Sequence, residues 1–292
     1  MLPAEISDSL FSLFKKILHF DLQIISDSVL SGGSINQVLR LKTNRGYFCL
    51  KYNRNGSFPE MFKKEAMGLD ILRNAGEIRV PLVIGTDDSG QYSYLLLEFI
   101  TSAPVGAGFM AGFGHSLARL HRHTGEYFGL SHDNYMGSLQ QSNRPNNNFP
   151  DFFIRERLAK QLDLAMKNDY LSKEELQKFD QLHEKLPGII PAEKPSLIHG
   201  DLWNGNFIVS EEGRACLIDP AVYYGHREVD IAMSTLFGGF GPEFYSAYQE
   251  SFPMEKGWKE RLDIYNLYPL LVHLNLFGSG YLGEIRRIIR KF

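Results

Sequence analysis

Three side chains in one stretch of this sequence have the types and the spacing to move a phosphoryl group. Asp201 is followed five residues later by Asn206, and eighteen residues later by Asp219 at the end of an apolar run. One carboxylate can accept the proton of an attacking hydroxyl. An amide oxygen and a second carboxylate can hold Mg²⁺ against the phosphates of ATP. The apolar segments Phe207–Val209 and Ala215–Ile218 read as two short strands around a turn at Glu211–Gly213. A hairpin there would return Asn206 and Asp219 to the same end. An Asp-x-x-x-x-Asn spacing alone is common. Here His199, Gly200, Trp203 and Gly205 crowd around it, a mixture that a solvated loop does not need.

The spacing also matches the H-R-D-x-x-x-x-N catalytic loop of protein kinases, with Gly200 in place of arginine. That machinery needs a strand lysine that meets a helix glutamate. Lys51 lies in a strand read over Tyr47–Tyr52, where Tyr47, Cys49 and Lys51 share one face by period-two alternation. Glu65 lies on the following helix, on the stripe formed by Phe62, Ala66, Leu69 and Leu72. A carboxylate on an inward face needs a partner, and Lys51 is the candidate, positioned for the α- and β-phosphates. The turn Ser31–Val38, set on G-x-G-x-x-G-x-V, keeps only Gly33 and Val38, with Asn36 at the third glycine position. Gly32, Gly33, Ser34 and their backbone amides could still cradle phosphate. Cys49 takes the alanine position of V-A-I-K, facing the adenine, which is compatible with a buried structural thiol.

The elements that must position these residues follow from periodicity. Ile6, Leu10, Phe14, Ile17 and Leu18 give an N-terminal helix over 5–18. Strands are expected at Gln37–Lys42, Tyr47–Tyr52 and Tyr92–Ile100, with a helix from Phe58 to Asn74 between the last two. Ser57 and Glu60 predict a capping box for that helix, with Pro59 in its first turn. After a connection at Thr101–Gly108, helical periods dominate, at about 109–123, 151–168, 172–186 and beyond 229. Asn143–Asn148 reads as a polar surface excursion. The expected fold is α+β and two-lobed, kinase-like. A small antiparallel-sheet N-lobe with one main helix spans 1–100, and a larger helical C-lobe spans 101–292.

Composition agrees with a globular chain. The 292 residues suffice for two lobes, apolar content is 43% and charged content 22%. A net charge of −3 gives no global reason to bind nucleic acid or an anionic membrane. Cys49 and Cys216 are the only cysteines, which is no disulfide framework and suits a reducing compartment. Glu5, Asp8, Lys15 and Lys16 interrupt any leader-like apolar stretch, and no run approaches the ~18 apolar residues of a membrane span. A cytoplasmic setting is the expectation.

On these residues the chain resembles the fructosamine kinases, or ketosamine-3-kinases, within the aminoglycoside phosphotransferase-like group. The resemblance is carried by Ser31–Val38, His199–Asn206, Asp219–Glu228, Leu236–Phe240 and His273–Gly278, and the run Asp-Pro-Ala-Val-Tyr-Tyr-Gly is its most specific part. It implies ATP-dependent phosphorylation of a sugar-derived ketoamine on its 3-hydroxyl, giving an unstable adduct whose decay frees the amine and deglycates proteins. It implies Asp201 as base, Asn206 and Asp219 as Mg²⁺ ligands, and Lys51 paired to Glu65 on the phosphates. It also implies Glu98 and Ile100 at the hinge, contacting adenine through backbone groups. Some relatives carry a cysteine where this chain has Ser34, so a thiol switch at that position is not available here. Asn204 stands where relatives often place glycine.

Other residues have two readings. Trp203 could stack on the acceptor sugar or pack beneath the loop. His226, Arg227 and Glu228 could line the acceptor pocket or cap the following helix. His199 and Asp230 read as a structural brace for the catalytic loop. His115, His121 and His123 lack a ligand set for zinc. Arg286, Arg287, Arg290 and Lys291 suit the last turn of a helix better than a membrane surface. The rival functions are a kinase for another small acceptor, such as an aminoglycoside, choline or a methylated pentose, and a nucleotide-binding scaffold without turnover. A scaffold has no use for Asp201.

Overall fold

The computed structural model describes residues 2–18, 21–30, 35–88 and 90–292, without the side chains of residues 17 and 18. Two compact units emerge. One takes residues 1–106 together with 208–218, the other 107–207 together with 219–292. The returning segment 208–218 is a stretch that a single division at residue 100 leaves with the C-lobe. It joins the first unit through Ala103 N, which donates to Val209 O at 2.8 Å, and Leu217 N, which donates to Arg79 O at 2.8 Å.

The first unit opens with helix α1 (Ala4–Leu18), followed by strands β1 (Ile24–Val29), β2 (Gln37–Thr43) and β3 (Gly46–Arg54). Helix α2 (Met61–Ala75), β4 (Val83–Asp87) and β5 (Tyr92–Glu98) complete it. The five strands form one antiparallel sheet in the order β1-β2-β3-β5-β4. Residues that pair directly share a face, so the register sorts the sheet into two. Leu39, Leu41, Leu50, Tyr94 and Leu96 meet Ile6, Leu10 and Phe14 of α1 in a buried cluster. Each fully buried side chain of that size contributes about 1.5–3 kcal/mol. The opposite face carries Val38 and Leu95 beside Lys51, and Leu97 beside Cys49. One apolar face is thus sealed by α1, and the lysine stands on the other.

Strands β1 and β4 escape the sequence patterns for physical reasons. Both are edges. Ser26, Asp27 and Ser28 break the apolar alternation of β1, which is held by backbone pairing to β2. In β4 the register shifts between Val83 and Gly85, and a Cβ at Gly85 would lie 2.9 Å from Leu13. Helix α2 begins three residues later than its pattern suggests. Glu60 takes φ +57°, so it cannot be the third residue of a helix, and the Ser57–Glu60 capping box and the first-turn role of Pro59 do not form. The chain instead turns at Ser57 N, which donates to Arg54 O.

The second unit is mostly helical. It runs through α3 (Phe109–Leu120), the hairpin β6 (Asn134–Met136) and β7 (Leu139–Gln141), α4 (Phe149–Phe152), a π-helical turn at Phe153–Leu158, and α5 (Ala159–Lys167). Then come α6 (Lys173–Ile189), β8 (Ser196–Ile198) and a 3₁₀ turn at Asn204–Asn206, after which the hairpin β9 (Phe207–Val209) and β10 (Ala215–Leu217) returns to the first unit from residue 208. Strand β11 (Tyr223–Gly225), α7 (Glu228–Met233), α8 (Pro242–Ser251), α9 (Trp258–Phe277) and α10 (Leu282–Ile289) end the chain. A capping box does occur, at Ser172 and Glu175, where α6 starts. Asn143 departs from its surface reading. It is buried, because its side chain bonds Asn134 and Arg157. The basic cluster of α10 is taken up by acids: Arg287 pairs with Asp263 and Glu284, and Arg286 with Glu175. No helix among the described residues is long and apolar enough to cross a membrane.

Candidate active site

Strands β8 and β11 pair antiparallel, with Tyr223 opposite Ile198. The end of β8 therefore lies beside the start of β11. His199-Gly200-Asp201 leaves one strand where Asp219–Val222 enters the other. The ladder extends one bond further, from Ala221 N to His199 O at 2.9 Å. Gly200 permits this approach. It has φ +82°, and a Cβ there would come within 2.2 Å of Ala221 O.

Asp230 braces the loop from α7. Its two carboxylate oxygens accept the backbone N–H groups of His199 at 2.7 Å and Gly200 at 2.8 Å. His121 Nε2 lies 3.2 Å from Asp230 Oδ2, and its Nδ1 lies 2.8 Å from Tyr248 Oη. Asp230, His121 and His199 are fully buried. The brace expected of Asp230 has this geometry. His199 belongs to it through its backbone, while its ring accepts from Asp201 N at 3.3 Å. His121 was not legible as part of the site, because its helix stripe marks it only as inward-facing.

Asn206 Nδ2 donates to Asp201 O at 2.8 Å and to Asp201 Oδ2 at 2.9 Å. With its nitrogen engaged, Asn206 offers its amide oxygen on the other side. That oxygen and the Asp219 carboxylate are hard oxygen donors of the type that could hold Mg²⁺. Burial pushes the Asp201 pKa up to about 7; the Asn206 hydrogen bond opposes the shift, and the Asp219 and Asp230 charges add to it. A carboxylate near neutrality is matched to general-base work. Asp219 takes φ +55°, a conformation seldom adopted outside glycine.

In the first unit Lys51 Nζ meets Glu65 Oε1 at 2.6 Å, with side-chain exposures of only 8% and 12%. The pair expected from the strand and the helix stripe is formed. Val38 pairs directly with Lys51 across β2 and β3, and Cys49 is a half-buried thiol on the same face. Glu98 closes β5: its carboxylate accepts from Arg79 Nη2 at 2.6 Å and from Leu82 N at 3.1 Å. Ile100 is buried just beyond it. Gly32, Gly33 and Ser34 lie outside the described residues.

The acceptor candidates separate. Trp203 stands half-buried over Gly205, where a Cβ would come within 2.3 Å of the indole, and meets Phe237 edge-on at 5.6 Å. Packing and accessibility thus coexist at Trp203. His226 and Glu228 are a correction to the acceptor-lining reading: both are fully buried. Glu228 is gripped by Arg261 through two hydrogen bonds, and His226 stacks on Tyr265 with Glu193 at 3.7 Å. Burial lowers the His226 pKa below its usual 6.5, against the pull of Glu193. Arg227 likewise binds Glu193 and the carbonyls of Phe252 and Pro253. These groups belong to the support of α7.

The sequence matches the family described as fructosamine kinase over residues 8–292. A protein of Enterococcus faecium named as a ketoamine kinase is 40% identical over 263 residues, covering 89% of this chain and 93% of the relative. The chloroplastic protein-ribulosamine 3-kinase of Arabidopsis thaliana is 36% identical over 275 residues, covering 91% of this chain and 82% of the relative. A crystal structure from Haemophilus somnus described as a fructosamine-3-kinase superposes with a TM-score of 0.88 at 29% identity, covering 97% of this chain and 96% of that one. An aminoglycoside phosphotransferase in ternary complex with AMP-PNP and hygromycin B shares the fold alone, with a TM-score of 0.64 at 16% identity over 97% and 98% of the two chains.

Proposed function

This chain belongs to the fructosamine kinase family, and from that premise we propose that it transfers the γ-phosphoryl group of ATP to the 3-hydroxyl of a ketosamine. The observation that carries the reading is Asp201, raised to about 7 and held by Asn206 within a loop that Asp230 fixes through two backbone amides. Asp201 accepts the proton of the 3-hydroxyl as its oxygen bonds to the γ-phosphorus, and ADP leaves. Lys51, steered by Glu65, meets the α- and β-phosphates. Mg²⁺ held by Asn206 and Asp219 supplies charge neutralisation at the phosphates when bound. Gly32, Gly33 and Ser34 are assigned to the phosphates from the sequence alone, Val38 lies beside Lys51 on that face, Cys49 faces adenine, and the backbone of Glu98 and Ile100 contacts its edge. Trp203 offers an apolar face to the sugar.

Residues 1–100 serve in this reading as the nucleotide-covering lobe, and 101–292 carry base, metal ligands and acceptor site. The phosphorylated adduct decomposes and frees its amine, so the role is deglycation in a cytoplasmic setting. The names of the Enterococcus and Arabidopsis relatives support a ketosamine acceptor, and the nucleotide in the aminoglycoside phosphotransferase supports ATP.

The test is Mg²⁺-ATP consumption against a fructose-amine adduct, a ribulose-amine adduct, an aminoglycoside and choline, with the product identified by NMR. Ketosamine-dependent ADP release with phosphate on the 3-oxygen is expected. Turnover with the aminoglycoside or choline alone would overturn the acceptor assignment.

A further inference from the structure

Asp219 combines φ +55° with a following Pro220. A left-handed backbone is costly for a residue with a Cβ, and the ring of the next proline narrows the allowed backbone further. Such a conformation persists only where the surrounding structure over-determines it. The groups that do so can be traced. Ala221 N is held by His199 O, as described. Ala221 O accepts from Gln141 Nε2 at 3.1 Å, and Val222 O accepts from Asn134 Nδ2 at 2.8 Å. Both carbonyls immediately after Asp219-Pro220 are thus fixed by side-chain amides of the β6–β7 hairpin.

Those amides are themselves locked. Gln141 Nε2 also donates to Asn134 Oδ1 at 2.8 Å, and Gln141 Oε1 accepts from Tyr268 Oη at 2.9 Å. Asn143 donates to Asn134 Oδ1 at 2.9 Å and accepts from Arg157 Nη2 at 2.8 Å. Gln141, Asn134, Asn143, Arg157 and Tyr268 are all buried. Arg157 is held by carbonyl oxygens and by the rings of Tyr223 at 4.0 Å and Phe152 at 4.6 Å. A buried network so fully directed at one backbone segment specifies geometry.

We propose that Gln141 is a positioning residue for Asp219: its amide holds the Ala221 carbonyl and so keeps the Asp219 carboxylate where, with Asn206, it can take a divalent cation. The proposal rests on the reading of Asp219 as a cation ligand. Partners that orient metal ligands without touching the metal commonly change affinity by about 10–100-fold when removed. Gln141→Met keeps the side-chain length and removes both polar ends.

The experiment is Mn²⁺ titration followed by electron paramagnetic resonance, on the full chain with saturating AMP-PNP. Wild type is compared with Asp219→Ala, Gln141→Met and Tyr268→Phe. Asp219→Ala should lose most of the affinity. Gln141→Met should lose about tenfold, and Tyr268→Phe less in the same direction, with metal-free AMP-PNP binding unchanged in both. Turnover of Gln141→Met should recover as Mg²⁺ is raised. Wild-type Mn²⁺ affinity in folded Gln141→Met, beside a loss in Asp219→Ala, would overturn the positioning role and leave the cation-ligand reading standing. Wild-type affinity in Asp219→Ala would overturn both. Where Gln141→Met does not fold, Tyr268→Phe decides, and unchanged Mn²⁺ affinity there overturns the role.

Discussion

Glu65 and Asp230 are both buried carboxylates that hold other groups in place, and they do so by opposite means. Glu65 has a charged partner at 2.6 Å, Lys51, and both side chains retain slight exposure. Asp230 is sealed and takes its hydrogen bonds from two backbone amides and an imidazole. An ion pair between two long side chains can adjust by rotamer changes. A carboxylate bonded to backbone dictates where the chain runs. The contrast teaches that the first unit holds a side chain and the second holds a loop. Loss of Glu65 should therefore misplace one ammonium, while loss of Asp230 should disorganise the segment that carries the base.

Substitutions can break or sharpen that contrast. The largest effect belongs to the chemistry carried on the braced loop. Asp201→Asn should lower kcat by about 10²–10⁴, with AMP-PNP affinity retained; turnover within a few-fold of wild type would remove Asp201 from the role of base. Next comes the brace. Asp230→Ala leaves two buried amides and His121 without their acceptor, and urea unfolding should show a loss of about 3 kcal/mol or more. A loss under ~1 kcal/mol would mean that water replaces the carboxylate, and the contrast would fail. Glu65→Gln should raise KM for ATP about tenfold with a fall in Tm smaller than that of Asp230→Ala, since the amide still offers Lys51 a hydrogen-bond acceptor but no longer balances its charge. A fall in kcat with KM unchanged would argue against phosphate positioning by Lys51.

The smallest effects are in pH dependence. Asp201 has its native pKa raised to about 7, above its ordinary 3.8, so the unfolded chain releases this proton first. Its contribution to stability is therefore lost as pH rises from about 4 through 7. Asp201→Asn should raise Tm by a few degrees above neutrality, and the gain should shrink as pH is lowered. For His226 the native value is depressed below 6.5, so its contribution is present above 6.5 and fades as pH falls beneath it. Thermal unfolding of wild type and His226→Gln at pH 7.5 and 5.5 tests this: the two should converge at the lower pH, and parallel losses would exclude His226 as the sensor.

Much of the site was legible because it is local. Asp201, Asn206 and the Lys51–Glu65 pair depend on short spacings, period-two alternation and a helix stripe, all of which leave marks in the order of residues. The capping box at Ser57 was misread because a left-handed Glu60 follows, and a tetrapeptide pattern cannot reveal that turn. In the sequence His226 and Glu228 read as lining the acceptor pocket or capping the following helix. Their burial is matched by Arg261, 33 residues after Glu228, and by Glu193, 33 residues before His226, and no local pattern records that pairing.

The sequence by itself determined which groups are available for the proposed chemistry: Asp201 as the proposed base, Asn206 and Asp219 as the proposed cation ligands, and Lys51 with its glutamate, on elements whose periods declare them. Only tertiary structure decided how these groups are held. The pairing of β8 with β11 juxtaposes Asp201 and Asp219, His121 reaches Asp230 across 109 residues, and Gln141 reaches Ala221 across 80. The physical reason is that a hydrogen bond between distant residues is fixed by the packing that brings them together. Their side chains are ordinary polar types, and each acquires its role only once burial fixes its partners.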